Sequence, residues 1–193
     1  MENAFFALAA RMRYIQRWGL MRNSYMENLP EHSHMTAVLA HALAVIRRDV
    51  FHQPADPEKA ALAALYHDMS EIITGDLPTP VKYLNPEIRD SYKAVEAQAE
   101  DKLLTLLPEE MRPAYADALR GGDESVHELV KAADKLSAYL KCVEELQAGN
   151  AEFRSAEKQI RETLEASPLP EVGYFMERFL PSFGMTLDEL TGE

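Results

Sequence analysis

Asp56-Pro57-Glu58-Lys59-Ala60-Ala61-Leu62-Ala63-Ala64-Leu65-Tyr66-His67-Asp68-Met69-Ser70-Glu71 combines a helix start with a chemical anomaly. Asp56 suits an N-cap, Pro57 a first turn where its missing N–H costs nothing, and Glu58 the positive end of the helix dipole. The run carries Leu62, Leu65 and Tyr66 into His67-Asp68, an imidazole and a carboxylate side by side in apolar surroundings. Burying both is expensive unless something charged, most simply a metal ion, accepts them. On a helix, Glu71 lies one turn beyond His67 and Asp68 and faces the same side. Adjacent residues are about 100° apart around the axis, yet both reach one ion placed between their directions near the helix end.

Outward from this stretch the period stays helical. Phe5, Leu8, Ala9, Met12 and Ile15 recur in steps of three and four, predicting a first amphipathic helix with Gly19 as its stop. Glu2 stands where a secretory signal would carry basic residues, and Arg11, Arg13 and Arg17 follow at helix-like spacing, so the segment reads as mature helix. A second run, His34 to Phe51, holds Met35, Val38, Leu39, Ala42, Leu43, Val45 and Ile46 and is apolar enough to be central. The span Gly75-Asp76-Leu77-Pro78-Thr79-Pro80 reads as a stiff loop, because two prolines two residues apart cannot continue a helix. Asn85-Pro86-Glu87 starts a helix towards Leu107, and a short one fills Glu110 to Leu119. Gly121-Gly122-Asp123 caps a long helix from Glu124 to Ala148, closed by Gly149-Asn150. Helices follow at Ala151 to Ala166 and Glu171 to Leu180, with a capping box at Thr186-Leu187-Asp188-Glu189. With no alternating strand pattern, repeat or low-complexity linker, the expectation is an all-α, bundle-like single domain over residues 1–193.

Bulk properties bound the function. A chain of 193 residues can bury a substantial single core, roughly 70% of its unfolded surface. The 47% hydrophobic and 27% charged content is that of a soluble globular protein, and no apolar run approaches the roughly 18 residues of a membrane span. Cys142 is the single cysteine, which forbids an internal disulfide, agrees with a reducing cytoplasm and reads as a buried small hydrophobe. With 20 basic against 32 acidic residues, a net charge of -12 and no basic run, long DNA or RNA is excluded as a partner. A small phosphorylated ligand is compatible, since one or two local cations and a metal reverse the potential inside a pocket.

The search for charge partners to His67-Asp68 picks out His32, just before the central run, and Asp134 on the long helix. Asp134 follows Val130 by four and precedes Ser137 by three, an inward stripe where a carboxylate needs a partner. Ligation and an ion pair with Lys131 or Lys135 both answer that need. His34, His41, His52 and His127 read as ordinary structural histidines; His34 and His41 are about 10 Å apart along a helix, too far to share an ion. Taken alone, Glu71 is equally a solvated carboxylate, Arg17 a helix-end cation and Trp18 a core aromatic.

The ordered set His32, His67-Asp68, Asp134 resembles the ligand pattern of the HD superfamily of metal-dependent phosphohydrolases. The resemblance extends over almost the whole chain. Arg17-Trp18, Leu20-Met21-Arg22-Asn23, Glu31-His32-Ser33, Tyr66-His67-Asp68, Ser70-Glu71, Thr74-Gly75-Asp76-Leu77-Pro78-Thr79-Pro80-Val81-Lys82-Tyr83 and Ala138-Tyr139-Leu140-Lys141-Cys142 are together similar to the bacterial HD-domain 5'-deoxynucleotidases. The loop from Thr74 to Tyr83 is far more specific within the superfamily than the metal set.

That resemblance implies an HD-type helical bundle that hydrolyses deoxyribonucleoside 5'-monophosphates to deoxynucleoside and phosphate. It implies one divalent ion on His32, His67, Asp68 and Asp134, and two imidazoles with two carboxylates suit Co²⁺, Mn²⁺ or Zn²⁺ better than Ca²⁺. Glu71 is the candidate for orienting or deprotonating water, and Asp76 for proton donor or sugar contact at the leaving oxygen. Arg17 would orient the phosphate through its bidentate fork, and Trp18 would wall the sugar against a 2'-hydroxyl. Substrate contacts would include Asp68, Asp134 and the segment Asp76, Leu77, Pro78 and Thr79. Lys82 is either a second phosphate contact or a solvated lysine. A homodimer, with the C-terminal helices as its interface, is also implied. The alternatives are another HD phosphohydrolase, acting on cyclic nucleotides, alarmone-type pyrophosphates or nucleoside triphosphates, and a non-catalytic helical binding protein. Dinuclear HD phosphodiesterases need extra histidines after the His-Asp pair, and here only His127 follows it.

Overall fold

The computed structural model describes residues 3–82 and 84–192, the side chain of Thr79 excepted; Tyr83 lies outside the described residues. Among them there are helices and no named strand, only an isolated antiparallel bridge between Gln16 and Asn28. That bridge corrects the expected first helix. Helix α1 (Phe5–Ala9) passes into a 3₁₀ turn, Ala10–Tyr14, and the chain is extended at Ile15, four residues short of Gly19. The helix stops there because the backbone finds other partners: Leu29 N–H donates to Ile15 O at 3.0 Å and Arg17 N–H to Glu27 O at 2.9 Å.

The central helix α2 (Leu29–Val45) begins five residues earlier than the apolar run suggested. Asn28 accepts from the Glu31 N–H at 3.1 Å and the Glu31 carboxylate accepts from the Asn28 N–H at 3.0 Å, a reciprocal cap with Pro30 in the first turn. His32 therefore lies inside the helix, not ahead of it. At its other end α2 widens into a π turn, Ile46–Val50.

Helix α3 (Pro57–Tyr66) starts as expected, with Asp56 accepting from the Lys59 N–H at 2.9 Å. Its buried face is not leucine: Leu62 and Leu65 are 48% and 44% exposed, while Ala60, Ala63 and Ala64 are buried. Small residues there, opposite Ala40 and Ala44 of α2 in the same cluster, let the two backbones approach closely. After Tyr66 the helix tightens into three-residue turns, with Met69 N–H bonded to Tyr66 O and Glu71 N–H to Asp68 O, both at 3.0 Å, before α4 (Glu71–Thr74). The expected continuous helix through Glu71 is thus broken, yet a 3₁₀-type turn eclipses residues three apart and keeps Glu71 over Asp68.

The loop after Gly75 (φ 76°) ends at Pro78 rather than Pro80. Helix α5 (Thr79–Lys82) begins there, because Pro80 falls in a first turn that needs no N–H donor. Then come α6 (Pro86–Thr105), α7 (Arg112–Leu119), α8 (Glu124–Gln147), α9 (Arg154–Glu165), α10 (Pro170–Arg178) and α11 (Leu187–Thr191), close to expectation. Asn85, Asp123 and Thr186 provide side-chain caps for α6, α8 and α11.

Helices α2, α3 and α8 pack on one another and form one apolar cluster, to which α10 adds Val172 and Phe175. A second cluster joins Phe5, Met12, Leu29, Met69, Leu103, Leu107 and Leu119. His32 and Asp68 sit at the seam between the two, one turn from Leu29 and next to Met69. Ion pairs tie the periphery to this frame: buried Arg47 bonds buried Glu171 of α10 and part-exposed Glu128 of α8, each at 2.6 Å. Glu145, fully buried, accepts from the N–H groups of Ser24 and Tyr25 at 2.9 and 3.1 Å, from Asn150 at 2.8 Å and from Lys141. Lys141 also donates to the Tyr25 carbonyl.

Burial alone would raise the Glu145 pKa, but these donors outweigh it and lower it to about 2 from an ordinary 4.5. A depressed carboxylate pKa adds stability above its unfolded value, and that stability disappears as pH falls towards the folded one. Glu145→Gln should therefore cost about 3 kcal/mol at neutral pH by leaving Lys141 unpaired. Urea unfolding should show the gap to the unsubstituted protein closing between pH 4.5 and about 2; a pH-independent gap would contradict this account.

Candidate active site

Four side chains from three segments meet at the seam: His32 from the first turns of α2, His67 and Asp68 from the turn after α3, and Asp134 from the middle of α8. His32 Nε2 lies 3.0 Å from Asp134 Oδ1 and 3.5 Å from Asp68 Oδ2. His67 Nε2 lies 3.1 Å from Asp68 Oδ2 and 4.0 Å from Asp134 Oδ1. Ligands about 2.1 Å from a tetrahedral ion stand about 3.4 Å from one another, so these separations match a cation-sized cage. Taken alone, His32, His67 and Asp68 each offer one ligand atom within 4.8 Å of the others.

The ring orientations fit a metal as well. His67 Nδ1 donates to the Ala64 carbonyl at 2.6 Å, which leaves Nε2 facing the cage. Nε2 is buried and makes no hydrogen bond, although Asp68 Oδ2 is near. His32, fully buried, is held at Nδ1 by the Ser137 hydroxyl at 3.1 Å, and Thr36 Oγ1 donates to its carbonyl at 2.8 Å. Asp134, with 42% of its side chain exposed, forms the open edge; among the described residues it pairs with His32 and His67 and not with Lys131 or Lys135. Burial opposes charge on His67, Asp68 and Asp134, yet mutual attraction prevails. His67 is raised to about 9 chiefly by Asp68, and Asp68 and Asp134 are held below the usual carboxylate range by the two imidazoles.

Around the cage stand Arg17, Glu71 and Asp76. Arg17 is not a helix-end cation: it lies beside the Gln16–Asn28 bridge, with Nη1 3.4 Å from Asp68 Oδ2 and Nε 3.3 Å from Glu27 Oε2. Trp18 adopts φ 59°, donates from Nε1 to the same Glu27 oxygen at 2.9 Å, and sets its ring 5.2 Å from that of Phe153. Glu71 is buried rather than solvated, and its Oε2 has no partner. Burial, then Asp68 and Asp76, push its pKa up to about 9. Asp76 is raised too, by burial first, and feels the charges of Arg17, Asp68, His32 and Lys82.

Leu77 and Pro78 are half-buried in the loop beside Asp76. The Thr79 side chain lies outside the described residues. Lys82 is not simply solvated: its ammonium meets Glu96 at 2.7 Å and lies over the Tyr92 ring. The remaining histidines stay out of the site, with His34, His41 and His52 exposed. Sequence reasoning missed Glu27, the Ala64 carbonyl and the placement of Phe153. Only the Asn28-Leu29-Pro30-Glu31 capping pattern, which starts α2 early, could have signalled that Glu27 faces Arg17.

An acid whose folded pKa is raised from 4.5 to about 9 destabilises the fold progressively as pH rises through that window. In metal-free protein, Glu71→Gln should therefore melt at a higher temperature than the unsubstituted chain at pH 9 and near the same temperature at pH 4.5. Thermal scans in chelator at both pH values check this, and equal melting at pH 9 would contradict it.

Comparison with known proteins agrees with this architecture. The family model described as 5'-deoxynucleotidase YfbR-like matches residues 4–183. Over 192 residues the chain is 52% identical to a 5'-deoxynucleotidase of Vibrio parahaemolyticus and 50% identical to one of Vibrio atlanticus, covering 98% of this chain and 99% of each relative. An HD-domain phosphohydrolase from Listeria innocua superposes with a TM-score of 0.81 at 23% identity, over 93% of this chain and 87% of that one. The cyanophage S-2L HD phosphohydrolase DatZ, solved with dA and one catalytic Zn²⁺ ion, superposes with a TM-score of 0.65 at 24% identity, over 91% and 96%. The structural likenesses establish the HD fold, and the sequence matches establish that the chain belongs to the YfbR-like 5'-deoxynucleotidase family.

Proposed function

We propose that this protein is a 5'-deoxynucleotidase in which His32, His67, Asp68 and Asp134 hold one divalent transition-metal ion and Arg17 receives the phosphate of a deoxyribonucleoside 5'-monophosphate. One observation carries the reading: the Arg17 guanidinium touches Asp68 of the cation cage, so an anion receptor stands on the rim of a cation site. When bound, the ion supplies Lewis acidity towards the phosphate and lowers the pKa of water. Water adds to phosphorus, the bond from phosphorus to the 5' oxygen breaks, and the proton lost by water is balanced by the one gained at that oxygen.

The residues divide this work. Glu71 orients the water and takes its proton; its buried, unpartnered Oε2 supports that role. Arg17 and Lys82 already pull the Glu71 pKa down against burial, and a divalent ion in the cage would favour its ionised form further. Asp76 faces the leaving oxygen as proton donor or sugar contact. Asp68 and Asp134 bound the substrate where they leave the cage, and Leu77 and Pro78 line its other side. Trp18 walls the sugar, so that a 2'-hydroxyl clashes or loses its water. The dA and Zn²⁺ held by DatZ make a deoxynucleoside and a borderline ion compatible with this fold. Co²⁺ and Mn²⁺ suit the same donors.

The assay is phosphate release from deoxy- and ribonucleoside 5'-monophosphates with Co²⁺, Mn²⁺, Zn²⁺ or none. Metal-dependent release favouring deoxyribose is expected; no metal-dependent release would overturn the function, and equal turnover of both sugars would overturn the role of Trp18. Glu71→Ala should keep its bound metal and lose about 10²- to 10⁴-fold in kcat; loss of the metal would make Glu71 a ligand instead.

The reading includes a cytoplasmic homodimer with neither a membrane nor a long nucleic acid as partner. A net charge of -12 supports the latter, and no helix is long and apolar enough to cross a membrane. Exposed Phe179, Met185, Leu187 and Leu190 near the C-terminus supply an apolar face for a second copy. Sedimentation should give a dimer, weakened by Leu187→Asp with Leu190→Asp; a monomeric unsubstituted protein would refute this.

A further inference from the structure

The carboxylate of Glu27 belongs to neither the cage nor the loop of Asp76, yet it is nearly buried, with 14% of its side chain exposed. Its Oε2 accepts from two residues at once, Trp18 Nε1 at 2.9 Å and Arg17 Nε at 3.3 Å. Because Glu27 occupies Nε, the Nη groups of Arg17 are the ones turned to the site, where Nη1 reaches Asp68. Trp18 meanwhile sits at φ 59°, a left-handed conformation that a bulky residue keeps only where its surroundings over-determine it. The Glu27 bond and the Phe153 ring supply that determination from two sides.

The backbone supports the same arrangement. The Arg17 N–H bonds the Glu27 carbonyl, which sets the two residues opposite each other, and the intervening segment is tied at Ser24 and Tyr25 to buried Glu145. Resting on the function proposed above, we infer that Glu27 is a positioning residue that sets Arg17 and Trp18 as one unit, coupling phosphate capture to sugar selection. It touches neither the cage nor the substrate; it acts through the two residues that do.

Two variants separate its two bonds. Glu27→Gln keeps an oxygen for the indole N–H and removes the charge opposite Arg17. Its KM for a deoxynucleoside 5'-monophosphate should rise about tenfold with the sugar preference retained, as loss of a charge-assisted hydrogen bond implies. Glu27→Leu removes both bonds. It should raise KM at least as far and also lower the ratio of deoxy to ribo kcat/KM by about tenfold, with bound metal unchanged.

Trp18 is the single tryptophan, so its fluorescence reads the clamp without turnover. Glu27→Leu should shift the emission to the red and raise acrylamide quenching, and Glu27→Gln should do neither. An unsubstituted enzyme that discriminates between sugars, with a Glu27→Leu variant that discriminates equally and emits identically, would overturn this inference alone. Failure of the unsubstituted enzyme to release phosphate would overturn the proposed function, and the fluorescence comparison would still decide whether Glu27 holds Trp18. A Glu27→Leu variant with a lower melting temperature but unchanged KM, ratio and emission would assign Glu27 a stabilising role only.

Discussion

Two imidazoles, each 3.0 to 4.0 Å from both of two carboxylates at the seam of two apolar clusters, are the arrangement around which the rest of this protein is organised. In water such a group would disperse. Three of the four are held by a further bond: the Ser137 hydroxyl on His32 Nδ1, the Ala64 carbonyl on His67 Nδ1, and Arg17 on Asp68 Oδ2. The α-helices serve this geometry in different ways. The Asn28 and Glu31 cap starts α2 early enough for His32 to lie in its first turns, the alanine face of α3 lets His67 come close to α2, and α8 delivers Asp134 and Ser137 one turn apart.

The residues around the cage answer its charge. Glu71 is buried with an orphaned oxygen and a raised pKa because Asp68 and Asp76 already crowd the site with negative charge. A cation relieves Glu71, His67 and the cage together, so metal binding, proton affinity and local stability are one linked property here.

Arg17 and Trp18 belong to a segment with little regular structure. Residues Trp18 to Met26 have no helix to hold them, and their order comes from a two-ended attachment: backbone pairing beside the Gln16–Asn28 bridge at one end and the buried Glu145 and Lys141 pair at the other. This explains why Ala138-Tyr139-Leu140-Lys141-Cys142, remote from the cage in sequence, belongs to the same pattern as Arg17-Trp18. Lys141 and its partner Glu145 are the far anchor of the loop that carries Trp18.

Helical periodicity, proline and asparagine starts and the His67-Asp68 pair made the all-α class, most helix limits, the four cage residues and Glu71 readable from the sequence, because all of them are local or are expensive to bury without a partner. Resemblance of motifs added Arg17, Trp18 and the Asp76 loop. What periodicity could not supply depended on contacts between distant segments. The first helix stops at Tyr14 because Ile15 and Arg17 find backbone partners at Leu29 and Glu27. The helix before His67 buries alanines and exposes leucines because α2 leaves room only for small residues. Lys82 turns to Glu96, and Glu27 joins Arg17 to Trp18, for the same reason. Side-chain chemistry determined which groups must find partners, and only the packing of the helices decided which partners were within reach.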